Sequence, residues 1–105
     1  MTQERIIKIE AYYRDPGLVE RIAANFRRFW LDIGWMHMEA EENGTCSIYM
    51  SIYDRSKLGN LDLSIITLSK MVDIDFVEEL EGARYNKFEI EYNKSKKYEW
   101  GVVSE

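Results

Sequence analysis

Proline, cysteine and histidine each occur once in these 105 residues. A lone Cys46 excludes an intrachain disulfide, and its place in an apolar alternation fits a packed thiol better than a reactive one. With His37 as the only histidine, a zinc or copper centre would have to be built almost wholly from carboxylates. No such cluster is visible, so no metal and no cofactor is expected. Long apolar runs are also missing: none approaches the roughly 18 residues that span a bilayer, and no membrane association is expected. An excess of positive charge is absent too, since 14 basic against 19 acidic residues leave a net charge of −5. That balance argues against nucleic acid as a general partner, because such binding rests on neutralising phosphates. The opening Met1-Thr2-Gln3-Glu4-Arg5 lacks the basic-then-apolar pattern of a secretory signal, and a cytoplasmic location is expected.

What is present is an ordinary globular composition, 46% hydrophobic and 31% charged, at the size of one domain. Ile6 to Tyr12 alternates and is rich in β-branched residues, which suits a half-buried strand. It runs straight into Arg14-Asp15-Pro16-Gly17-Leu18. Asp15 is placed to accept from a first-turn amide of a helix, Pro16 suits the first helical position, and Gly17 leaves the backbone open. Two readings stand side by side here: a neat helix start, or a seat for a ligand carboxylate at orphan amides.

A helix is expected from Asp15 to about Trp30, with Leu18, Ile22, Phe26 and Phe29 at helical spacing. Ile33–Ala40 and Thr45–Tyr53 then alternate around Asn43-Gly44, which predicts a hairpin closed by a type I′ turn. Cys46, Ile48, Met50 and Ile52 would face the core. Asn60 can cap a second helix reaching about Met71, with Leu61, Ile65, Leu68 and Val72 in one stripe. A strand from Val72 to Leu80, a turn at Glu81-Gly82-Ala83 and a strand from Tyr85 to Tyr92 are expected next. The last dozen residues read as an added strand or an arm.

Strand, helix, strand, strand, helix, strand is the split βαβ order, so the predicted class is α+β and ferredoxin-like: an antiparallel sheet with both helices on one face. Its helix-free face would carry Trp35, His37, Tyr49 and Tyr53. That many aromatics point to an interface, unless the C-terminal extension folds over them.

With these residues placed, the chain resembles an ACT domain, and more specifically the small regulatory subunit of acetohydroxyacid synthase. The likeness spans roughly residues 5 to 80. Gly17 and Arg21 match the family's first-helix motif, and Leu68-Ser69-Lys70-Met71-Val72-Asp73 matches its Leu-x-Lys-x-Val-Asp run. Arg14 and Asp32 stand where the family carries asparagines. The resemblance implies an ACT-like unit over residues 1–82, with residues 83–105 as an extension packed on the same domain. It also implies a homodimer, a synthase catalytic subunit as partner, and a branched-chain amino-acid site formed by Arg14, Asp15, Gly17, Leu18, Asp32 and Ile33. Arg14 could grip a carboxylate there, or pair with Asp32 and fill the pocket, leaving a degenerate effector site. A stand-alone amino-acid sensor or interaction module is the alternative.

Enzyme activity is not expected. His37 is the obvious acid–base candidate, but a lone strand histidine is usually structural or interfacial, and no nucleophile has a base beside it. Glu41-Glu42 and Glu78-Glu79 read as solvated turns and strand ends.

Overall fold

The computed structural model describes residues 4–85 and 90–105. Its elements run β1 (Glu4–Tyr12), α1 (Gly17–Arg28), β2 (Asp32–Ala40), β3 (Thr45–Tyr53), α2 (Leu61–Ser69), β4 (Ile74–Tyr85), β5 (Ile90–Glu99) and β6 (Val102–Ser104). The strands form one six-stranded sheet in the order β2-β3-β1-β4-β5-β6, and every neighbouring pair is antiparallel. The first four strands and two helices are consistent with a ferredoxin-like arrangement, to which β5 and β6 add an edge. Among the described residues no helix is long and apolar enough to cross a membrane.

Alternation decides the layers. Ile7, Ile9 and Ala11 of β1 and Cys46, Ile48, Met50 and Ile52 of β3 are buried in one cluster with Leu18, Ile22 and Phe26 of α1 and Leu61, Ile65 and Leu68 of α2. Both helices therefore cover one face. Each of the isoleucine, leucine, methionine and phenylalanine side chains contributes about 1.5–3 kcal/mol by leaving water. Asn25, buried on α1, donates from Nδ2 to the Ser64 carbonyl of α2 at 3.0 Å, tying the helices together.

Several local expectations change. The first helix starts at Gly17 and ends at Arg28, with Pro16 just before it. Trp30 lies past the cap with φ +59, a left-handed position usually taken by glycine. A side chain there costs roughly 1–2 kcal/mol. The second helix stops at Ser69, so Val72 is not on its stripe but is exposed in the turn. Asn60 does cap it, accepting from Leu63 N at 3.0 Å.

The β2–β3 hairpin forms, yet its turn is not type I′. Gly44 N bonds to Glu41 O and Glu41 N to Thr45 O, and of the turn residues only Gly44 has positive φ (+95). This is a three-residue loop ending in a left-handed glycine. A two-residue turn with both φ positive occurs instead at Trp100-Gly101, between β5 and β6.

Glu81-Gly82-Ala83 is not a turn. β4 continues through it to Tyr85, and the pairing with β5 shifts register between Glu81 and Arg84. A glycine inside a strand marks such irregularities as readily as it marks turns. The expected strand from Tyr85 to Tyr92 is split between the end of β4 and the start of β5, and its residues 86–89 lie outside the described residues. The C-terminal segment is thus an integral edge. Buried Tyr98 joins the core cluster, and Gly101 N donates to Ser69 Oγ at 2.8 Å.

Candidate functional site

The joint between β1 and α1 is closed by the chain's own charges. Asp15 Oδ1 accepts from Gly17 N at 2.7 Å and pairs with Arg21 Nη1 at 3.3 Å. Leu18 N is taken by the Asp15 carbonyl at 3.2 Å, and the Leu18 side chain is fully buried. A Cβ added at Gly17 would sit 2.8 Å from Asp15 Oδ1 and 2.9 Å from Arg21 Nη1. The space expected to be open to a ligand is therefore occupied by a carboxylate and a guanidinium of the protein.

Asp73 completes this cluster, and it was not among the expected site residues. Its Oδ1 lies 2.7 Å from Arg14 Nη2 and its Oδ2 3.6 Å from Arg21 Nη2, while its carbonyl accepts from Tyr12 N at 2.8 Å. Arg14, Asp73, Arg21 and Asp15 thus alternate in sign around the helix start. An incoming carboxylate would have to displace Asp15 from both Gly17 N and Arg21. The sequence offered two signals for Asp73: it closes the Leu-x-Lys-x-Val-Asp match, and aspartate tolerates the left-handed φ of +70 that it adopts.

Arg14 does not pair with Asp32. Asp32 and Ile33 begin β2 at the other end of α1, and twelve helical residues separate the two ends by about 18 Å. Within one chain the six expected ligand residues fall into two separate groups. Beside Asp32 is an open cavity of about 370 Å³ lined by Arg27, Trp30, Leu31, Asp32, Arg55 and Ser56. A second, of about 400 Å³, runs along α1 past Arg21, Arg28 and Met71.

On the helix-free face, cross-strand register places Trp35 opposite Ser51, His37 opposite Tyr49 and Asp32 opposite Tyr53. The bulge at Gly34 brings Asp32 and Trp35 onto the same face. Trp35, His37, Tyr49 and Tyr53 share this face and all are half-buried. Described residues of the C-terminal segment extend the sheet on the far side of β4 and leave β2 an edge.

The row through Tyr49 continues Lys8, Glu78, Lys97. Glu78 is buried between two cationic register partners, and Glu79 on the other face meets Arg5 at 3.3 Å. Glu78-Glu79 is therefore not a solvated strand end. Nearby, Lys8 Nζ meets Glu10 at 3.2 Å, and Ser47 and Ser51 donate to Glu10 and Glu4, each at 2.6 Å. His37 Nε2 lies 3.1 Å from Glu39 Oε1.

Burial pushes the Cys46 thiol up, with the Glu10 charge adding to it, which keeps it protonated and weakly nucleophilic. Burial, then Glu79, raises Tyr98. Burial works against the Arg5 charge, but the hydrogen bond to Asp62 and the carboxylates of Glu79 and Asp62 outweigh it and hold the guanidinium above its ordinary value. Among the described residues no group of three or more His, Cys, Asp or Glu side chains is placed to hold a metal ion. In comparisons with known proteins, the sequence matches no family model and no curated protein.

Proposed function

We propose that this chain is a non-catalytic, ACT-like accessory module that acts as a dimer, and that its partner is the catalytic subunit of acetohydroxyacid synthase in branched-chain amino-acid biosynthesis. The partner's identity rests on the resemblance alone. The observation that carries the rest is the filled helix start: where an effector's carboxylate would sit, Asp15 already bonds Gly17 N and Arg21. A module whose pocket is self-occupied acts by contact rather than by sensing, so the effector site is degenerate in this reading. The ferredoxin-like type of sheet, here with six strands, and the aromatic helix-free face also support it.

The test is synthase activity of the same organism's catalytic subunit with and without this chain. Stimulation that valine, leucine and isoleucine leave unchanged is the expected result. Stimulation reversed by one of them would restore the sensing role. No stimulation and no co-elution would remove the synthase from the reading.

A further inference from the structure

We infer that the corner between the end of α1 and the loop before α2 is a docking site for an acidic protein segment that carries a large apolar residue. The two segments that join there each carry an exposed apolar side chain, Trp30 (67% exposed) and Leu58 (75% exposed). Their segments are packed against each other: a Cβ on Gly59 would lie 2.7 Å from both the Phe29 carbonyl and Leu31 Cδ2. The Asp54 carboxylate holds the loop by accepting from Gly59 N and Ser56 Oγ, so Leu58 is presented on a braced loop.

Backbone conformation points the same way. Trp30 and Lys57 both have left-handed φ, +59 and +64, where neither residue type is at ease. Strain of this kind concentrates at binding sites, and tryptophan and arginine dominate the energetics of protein interfaces.

Charge selects the partner. Arg27, Arg55 and Lys57 are exposed around the two apolar groups, and none forms a salt bridge among the described residues. Against them stand Asp32 in the cavity lining and Asp54, whose carboxylate is taken up by Gly59 N and Ser56 Oγ, while Arg55 also donates to Tyr53 Oη. The corner keeps a positive excess on a chain whose net charge is −5. Acidic groups on a partner would meet that excess, and the cavity of about 370 Å³ beside Trp30 would take its apolar residue. The overall negative charge disfavours nucleic acid as the occupant. The inference rests on the accessory-module reading only for the existence of a protein partner. Its test uses no synthase, so the two can fail separately.

Random peptides of about 12 residues displayed on phage would be selected on the wild-type chain after depletion on a Trp30→Gly, Arg55→Glu variant. Sequences joining Asp or Glu to Leu, Phe or Trp should be enriched. A synthesised winner should lose at least about tenfold in affinity with Trp30→Gly and weaken as salt rises. Because glycine accepts φ +59, that variant should keep or raise Tm. No enrichment over the depleted variant, winners without acidic residues, or lost binding accompanied by a lower Tm would each overturn the inference. So would tighter binding of a single-stranded DNA dodecamer, or loss of self-association in Trp30→Gly, which would give the corner to a second copy.

Discussion

Arg14 Nη2 lies 2.7 Å from Asp73 Oδ1 although the two residues are fifty-nine apart in sequence. The pair ties the β1–α1 joint to the turn between α2 and β4. The Asp73 side chain is 5% exposed, whereas Arg14 is 63% exposed, so losing Arg14 leaves a buried carboxylate short of its partner, while losing Asp73 leaves arginines that water can reach. Asp73→Ala should lower stability by roughly 1–2 kcal/mol, mainly through an alanine at φ +70. Asp73→Gly relieves that conformation and should recover roughly 1 kcal/mol of the loss. Arg14→Ala should cost about 1–3 kcal/mol, because Asp73 Oδ1 loses its partner inside the protein. Urea unfolding of the three variants reads these losses, and an Arg14→Ala loss near zero would contradict the burial argument.

Glycine substitutions separate conformational need from space. Gly44 has φ +95 and a Cβ there would overlap the Tyr12 ring, so Gly44→Ala should cost roughly 1–3 kcal/mol. Gly101→Ala meets only the movable end of Lys70 and should cost about 1 kcal/mol, from φ alone. Gly17 begins a helix without positive φ, and its neighbours are side-chain ends. There the helix propensity of alanine, worth about 0.8–1 kcal/mol, should offset the crowding and leave a change near zero. Thermal melts that ranked Gly17→Ala as the worst would show that the joint is less yielding than its geometry says.

Alkaline pH should weaken the fold through Tyr98. Its folded pKa is raised by burial and then by Glu79, with Arg5 opposing. The folded state therefore keeps a proton that the unfolded state has released. This contribution is fully present below the unfolded value, about 10, and is lost as pH rises through the folded one. Stability measured between about pH 8 and 11 should fall in its upper part, and Tyr98→Phe should flatten that fall. An unchanged slope in the variant would assign the loss to other tyrosines.

The proposed dimer can be tested on the helix-free face. Tyr49 sits mid-face opposite Lys8 and His37, so Tyr49→Glu adds a charge where copies would meet. Light scattering should show wild-type dimers at micromolar concentration and monomers of the variant. A wild-type monomer across that range would end the dimer proposal.

Much of the architecture was legible because it depends on periodicity. The alternation of Thr45–Tyr53 marks which residues face the core, and the apolar spacing of Leu18, Ile22 and Phe26 marks the buried side of α1. Asn60 signals its own cap. Boundaries were less legible wherever one residue type serves two purposes. Gly82 reads as a turn but lies in a strand at a register shift, and Trp30 reads as helical but occupies a left-handed position past the cap.

The candidate site divided in the same way. Asp15 and Gly17 announced the helix start from the sequence, since capping is a matter of neighbours two or three residues apart. That Asp73 and not Asp32 pairs with Arg14 was decided by the tertiary structure alone. The fold carries Asp32 to the far end of α1 and brings the α2–β4 turn beside the β1–α1 joint. Local preference thus sets strands, caps and faces from the sequence itself. Which charges meet depends on how those elements cross in space, and a contact spanning fifty-nine residues leaves no local trace.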